Sequence, residues 1–141
     1  MLSNAFKFTP EEGTITLSIF DENDFTPPDN IDVNINPSEY IVIEVKDSGP
    51  GIPAHRIKHI FERYYSDLNI SSKTKNKGSG IGLSYTNNLV KLHQGIIKVK
   101  SDAEHGTAFY VWLPKKRNTY SSTNDINFHE VFEAKDFINQ K

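Results

Sequence analysis

Tyr40-Ile41-Val42-Ile43-Glu44-Val45-Lys46-Asp47-Ser48-Gly49-Pro50-Gly51-Ile52-Pro53 is the stretch on which the fold turns. Its first part, to Val45, is rich in β-branched residues and reads as a strand. From Asp47 to Pro53 glycine and proline are too dense for regular structure, so the strand runs out into a loop. Upstream, Thr14 to Ile19 alternates, with Ile15, Leu17 and Ile19 on one face and Thr14, Thr16 and Ser18 on the other. That pattern predicts a second strand, half-buried through its apolar face. The two are joined by Asp21 to Ser38, an acidic stretch with Pro27, Pro28 and Pro37 and no helical period. It is expected to be a long hairpin connection, with a short extra strand at Ile31 to Ile35. No functional role follows from its residues.

Further outward, Met1 to Thr9 reads as the end of a helix, broken at Thr9-Pro10. Ala54 to Tyr65 has helical spacing, with Ile57, Ile60, Phe61 and Tyr64 on one side. Ser66 to Lys77 is polar and basic and is expected to form a mobile, lid-like loop. Gly78-Ser79-Gly80-Ile81-Gly82-Leu83 then opens a helix reaching about His93, with Ile81, Tyr85, Leu89 and Leu92 as its apolar stripe and Gln94-Gly95 as its cap. Ile96 to Lys100 and Thr107 to Leu113 are two more strands, joined by a turn around Glu104-His105-Gly106. Paired strands rather than a regular strand–helix alternation predict an α/β fold of two layers, a mixed and mostly antiparallel sheet covered on one face by helices. Residues 1–114 make that domain. Residues 115–141 are a linker or tail, with a short helix expected over Phe128 to Ile138.

Composition fits this reading. The chain has 141 residues, 36% hydrophobic and 24% charged, enough for one core, and a net charge of -2. That charge gives no global field for nucleic acid or a membrane surface, and neither is expected as a partner. There is no cysteine, so disulfides and thiolate metal sites are excluded. No apolar run approaches the roughly 18 residues of a membrane span. A cytoplasmic location is expected, and any inner-membrane anchor of the parent protein is expected to lie outside these residues.

The chemistry concentrates in the glycine clusters. Glycine permits close backbone approach and positive φ, which suits a loop that wraps a ligand. The second cluster opens a helix, whose free N–H groups and dipole face any bound anion, phosphate above all. It is neither a Walker loop nor a Rossmann fingerprint, because the Lys-Ser/Thr ending and the preceding strand are missing. Asp47 is placed either to cap its own turn or to accept a hydrogen bond from an exocyclic amine such as adenine's. Asn4 and Lys7 lie nearly on one helix face. They are either an ordinary amphipathic end or a Mg²⁺-ligating amide and a phosphate-binding ammonium.

Taken together, Asn4-Ala5-Phe6-Lys7-Phe8-Thr9-Pro10, Asp47 to Pro53, Ile60-Phe61-Glu62-Arg63-Tyr64-Tyr65 and Gly78 to Leu83 resemble, in order, the N-box, first glycine box, F-box and second glycine box of sensor histidine kinases. Gly106-Thr107-Ala108-Phe109 with Leu113-Pro114 resembles the end of that domain. The resemblance implies the Bergerat-type ATP-binding fold, shared with type II topoisomerase, chaperone and mismatch-repair ATPases. It implies that Asn4 binds Mg²⁺, Lys7 the phosphates and Asp47 adenine, with Gly49 and Gly51 shaping the pocket. Phe61 and Tyr64 would anchor the ATP lid, and Gly78, Ser79, Gly80 and Gly82 would approach the phosphates. Thr107 would lie near Asp47. Ile52 and Leu83 are either walls for the base or plain core.

ATP and Mg²⁺ are the implied ligands. The implied partners are the histidine-bearing dimerisation domain of the parent protein and a downstream response regulator or receiver domain. The resemblance also implies that the chain starts inside the N-box, lacking its first strand and most of its first helix. No catalytic residue is then expected within it, because the assisting residue would fall just before Met1. An open sheet edge and self-association are expected consequences. Lys73, Lys75 and Lys77 read as a solvated basic loop. A related topoisomerase- or chaperone-type ATPase and a non-catalytic nucleotide-binding module are the competing readings. Phe61-Glu62-Arg63-Tyr64-Tyr65 favours the kinase over the first of these.

Overall fold

The computed structural model describes residues 1–21, 24–29, 31–65 and 80–115. The lid-like segment, Gly78, Ser79 and the helix expected over Phe128 to Ile138 lie outside the described residues. The elements are α1 (Leu2–Phe8), β1 (Ile15–Phe20), β2 (Tyr40–Asp47), α2 (Ala54–Ile57), α3 (Gly82–Leu92), β3 (Ile96–Asp102) and β4 (Gly106–Pro114). All strand pairs are antiparallel, in the order β1-β2-β4-β3. No helix among the described residues is long and apolar enough to cross a membrane.

Register sorts the side chains into two faces, because successive residues of a strand point to opposite sides. One face carries the rows Leu17–Val45–Phe109–Val99 and Ile19–Ile43–Val111–Ile97. The helices lie on this side, α1 against β2, and α2 and α3 against β3. The opposite face carries Phe20–Val42–Trp112–Ile96 and Ser18–Glu44–Tyr110–Lys98. Central β4 is buried without a break from Gly106 to Trp112, as expected of a strand covered on both faces.

The cover on the opposite face is the 24–39 connection, to which the sequence assigned no role. Val42, Ala108, Tyr110 and Trp112 form a buried cluster, and Phe25, Ile31, Val33 and Ile35 pack against it. The Phe25 ring lies 5.1 Å from that of Phe20, 5.7 Å from Tyr110 and 5.9 Å from Trp112. Ile31, Val33 and Ile35 do alternate inward, but they pair with no strand, so the extra strand expected there is absent. A 3-10 turn, Pro37–Glu39, capped by the Asn36 side chain, delivers the chain into β2. Two contacts tie this layer to the end of β4: the Lys115 N–H donates to the Glu39 carbonyl at 2.7 Å, and Lys115 pairs with Asp21.

Three further expectations are corrected. Leu17 and Ile19 share the anticipated face but stay 54% and 69% exposed. β1 is the sheet edge, and the helices sit over β2 and β3 instead. The helix expected over Ala54 to Tyr65 stops after one turn at Ile57 and continues as i→i+3 turns, His59 N–H to Arg56 and Glu62 N–H to His59. On α3, Ile81, Tyr85 and Leu89 of the anticipated stripe are exposed and only Leu92 is half-buried, while the buried positions are Ser84 and Val90. Ser84 tolerates burial because its hydroxyl donates to the Ile81 carbonyl at 2.8 Å. Gln94 and Gly95 do end this helix, but Gln94 takes the left-handed φ of 56°. Gly95 donates to the Val90 carbonyl at 2.8 Å, and a Cβ there would meet the Trp112 carbonyl at 2.5 Å.

Candidate functional site

At one end of the helix-side face, the register aligns Ile15, Asp47, Thr107 and Ser101 across four strands. Asp47 is 7% and Thr107 6% exposed, an unusual depth for a carboxylate and a hydroxyl. One Asp47 oxygen accepts the Gly49 N–H at 2.9 Å, so the carboxylate does cap its own turn. That bond uses only Oδ1 and leaves Oδ2 for another donor, so capping and ligand binding are compatible.

The loop leaving Asp47 is held by backbone packing that excludes side chains. A Cβ on Gly49 would lie 3.0 Å from the Phe8 carbonyl oxygen, at the end of α1. Gly51 has φ 71°, and a Cβ there would meet the Asp102 carbonyl oxygen at 2.0 Å. Ser48 secures the other side: its hydroxyl accepts the Thr14 N–H at 2.8 Å, and its own N–H donates to the Thr14 carbonyl. The first glycine box is thus wedged between α1, the start of β1 and the β3–β4 turn. That turn is itself rigidified by Asp102, whose carboxylate accepts the Glu104 and His105 N–H groups at 2.9 and 2.7 Å. The hydrogen bond from the His105 side chain, then that from its backbone, lowers the Asp102 pKa.

Two other motifs meet in the same layer. The Tyr64 N–H donates to the Gly80 carbonyl at 3.1 Å, joining the F-box to the second glycine box. Tyr64 has φ 61° and Gly80 φ 69°, and a Cβ on Gly80 would sit 2.8 Å from the Tyr64 carbonyl carbon. Phe61 packs edge-on against Phe109 of β4 at 6.4 Å, whereas the Tyr64 side chain is 67% exposed. Phe61 thus meets the sheet through its ring, and Tyr64 meets Gly80 through its backbone. Beyond Gly80, α3 starts at Gly82 with no side-chain cap, and a Cβ on Gly82 would meet nothing within 4 Å. The first N–H groups of a helix without a side-chain cap are the kind of donors a phosphate accepts from.

Asn4 is half-buried on α1, and Leu83 and Ile52 are likewise half-buried. Lys7 is exposed, with its ammonium 5.0 Å from the centre of the Phe8 ring, not on the glycine loop. Among the described residues no cluster of three or more His, Cys, Asp or Glu side chains could hold a metal. Asn4, which the resemblance offers to Mg²⁺, could bring one amide oxygen, and phosphates and water would have to supply the remaining ligands.

Sequence reasoning missed Ser101. Its hydroxyl takes the Ile52 N–H at 2.7 Å, donates to the Gly106 carbonyl at 2.9 Å and lies 2.9 Å from the Thr107 hydroxyl. Counting back from the turn at Glu104-His105-Gly106 pairs Ser101 with Thr107, so the signal lay in the hairpin register.

The fold is that of a class of ATPases. Residues 1–117 match the family of histidine kinase-, DNA gyrase B- and HSP90-like ATPases, and the chain belongs to that family. Among curated relatives, Histidine kinase P4 of Formosa agariphila is 37% identical over 142 aligned positions, covering 99% of this chain and 9% of that protein. Sensor histidine kinase TmoS of Ectopseudomonas mendocina is 39% identical over 114, covering 81% of this chain and 10% of that protein. The chain thus spans about a tenth of the length of these relatives. A mycobacterial sensor histidine kinase, MprB, has the same fold, with a TM-score of 0.56 and 26% identity over 80% of this chain and 64% of that one.

Proposed function

We propose that this domain binds Mg-ATP and presents the γ-phosphate to a histidine on a partner dimerisation domain of a sensor kinase, for relay to a response regulator or receiver domain. The observation that carries this reading is the buried Asp47–Thr107 pair beside a glycine loop with no room for a Cβ at Gly51. A buried carboxylate with an oxygen to spare is built to take a donor, and the adenine amine is one. The uncapped start of α3 and the half-buried Asn4 suit the phosphate end. Mg²⁺ bound there would neutralise phosphate charge.

Phosphoryl transfer needs little covalent help from a protein beyond positioning and charge neutralisation. In the reaction an imidazole nitrogen–phosphorus bond forms and the bond from the γ-phosphorus to the ADP oxygen breaks. Asp47, the glycine loop and α3 would contribute the positioning. The transferred group needs an acceptor imidazole, which this reading places on the partner domain; of the five histidines here only His129 is followed by Glu, and His55, His59, His93 and His105 are not. With the acceptor on a partner domain, the chain alone is expected to lack autokinase activity; weak nucleotide binding is a separate expectation.

Calorimetric titration of the 141-residue chain with Mg-ATP tests this directly. Weak binding abolished by Asp47→Asn is the expected result. Micromolar affinity would overturn the expectation of weakness, and binding indifferent to Asp47→Asn would overturn the adenine assignment.

A further inference from the structure

We infer that Ser101 is a positioning residue that fixes the direction of the Thr107 hydroxyl, and thereby makes the base pocket selective for a purine bearing an amine. The inference deepens the nucleotide reading above and rests on it. A serine hydroxyl has one hydrogen and two lone pairs. Ser101 faces three polar groups: the Ile52 N–H, a donor; the Gly106 carbonyl, an acceptor; and the Thr107 hydroxyl, which serves as either. Only one assignment satisfies them all. Ser101 gives its hydrogen to Gly106 and accepts from both Ile52 and Thr107.

Thr107 then spends its own hydrogen on Ser101 and offers only lone pairs elsewhere. Its cross-strand neighbour Asp47, with Oδ1 already accepting from Gly49, is also an acceptor when ionised. The two buried groups together present lone pairs only. An edge that brings hydrogens, the 6-amino group of adenine, is matched. The 6-keto oxygen of hypoxanthine would place lone pair against lone pair. Ser101 also holds Ile52 at the exit of the glycine loop, so one hydroxyl couples the shape of the loop to the polarity of the pocket.

The test is titration of the full chain with Mg-ADP and Mg-IDP, which differ at the purine 6-position, using wild type, Ser101→Ala, Ser101→Thr and Thr107→Val. In Ser101→Ala the Thr107 hydroxyl is free to turn and donate, so the preference for ADP over IDP should fall about tenfold, the scale of one hydrogen bond in a buried site. Much of that fall should come from tighter IDP binding, which damage to the fold would not produce. Ser101→Thr should restore the preference. Ser101→Ala should have no further effect on it in the Thr107→Val background, because the two act as one unit.

An unchanged preference in a folded Ser101→Ala protein would overturn the inference while leaving the nucleotide reading intact. So would an undiminished effect of Ser101→Ala on top of Thr107→Val. Were Ser101→Ala unable to fold, Thr107→Val alone decides: an unchanged preference there overturns the inference, and a reduced one supports it. Wild-type protein that binds neither nucleotide would bring down the nucleotide reading, and the inference with it.

Discussion

The two faces of the sheet are built to different standards. The face under the 24–39 connection is closed by aromatic rings and holds a continuous buried cluster of Val42, Ala108, Tyr110 and Trp112. The helix face also has a core, with Val45, Phe109 and Val111 buried on the sheet and Ala5, Ile60 and Val90 buried among the segments over it. It mixes this with the glycine loop, the buried polar Asp47, Ser84 and Thr107, and exposed apolar residues such as Leu17, Ile19 and Tyr85. Both faces stabilise, but only the helix face combines apolar burial with buried polar groups. The 24–39 connection thus has a structural role: it supplies burial on the face the helices do not cover.

The contrast is breakable, most severely at Trp112. Trp112→Ala should lower unfolding free energy by about 3–5 kcal/mol in urea titrations, with nucleotide affinity of the folded fraction little changed. Collapse of binding at full folding would dissolve the division between faces. Gly51→Ala should act the other way. Its strained φ and backbone clash with Asp102 should cost about 1–3 kcal/mol and remove detectable ADP binding. Asp47→Asn should weaken ADP at least about tenfold by calorimetry while altering the melting temperature little, as expected for losing a charge-assisted hydrogen bond.

A pH titration sharpens the comparison on the sealed face. Burial, then the Glu44 carboxylate beside it, pushes the Tyr110 pKa up to about 12. Ionisation thus favours the unfolded chain, whose tyrosines titrate near 10. Stability from this group is complete below about pH 10 and lost as pH rises to about 12. Tyr110→Phe should flatten that alkaline decline in unfolding curves. The smallest effect is expected at the exposed edge. Leu17→Lys should change stability by no more than about 0.5 kcal/mol. It should also lower any self-association seen by sedimentation, since a charge on an edge strand discourages pairing.

The strands were legible because β-branched runs such as Tyr40 to Val45 have no competing helical period. The glycine loop was legible because Asp47, Gly49 and Gly51 carry backbone requirements that residue type reveals. What escaped was tertiary. The stripe of Ile81, Tyr85 and Leu89 looked like a core face, but a local hydroxyl-to-carbonyl bond lets Ser84 be buried instead. The second helix looked long by spacing, yet tertiary contacts, such as Phe61 on Phe109, are made from turns. Ile31, Val33 and Ile35 had a strand's alternation without a strand's hydrogen bonds, a distinction no side-chain pattern encodes. Ser101 has no motif of its own, and its place follows only from the hairpin.

The hydrogen bond between Tyr64 and Gly80 has a consequence for tolerance to substitution. Both residues hold positive φ and meet through main-chain atoms, so the junction is shaped by backbone and not by ring chemistry. Exchanging the exposed Tyr64 ring for another aromatic should leave the junction intact, whereas any Cβ at position 80 would press on the Tyr64 backbone. The meeting point is thus permissive on one side and restrictive on the other.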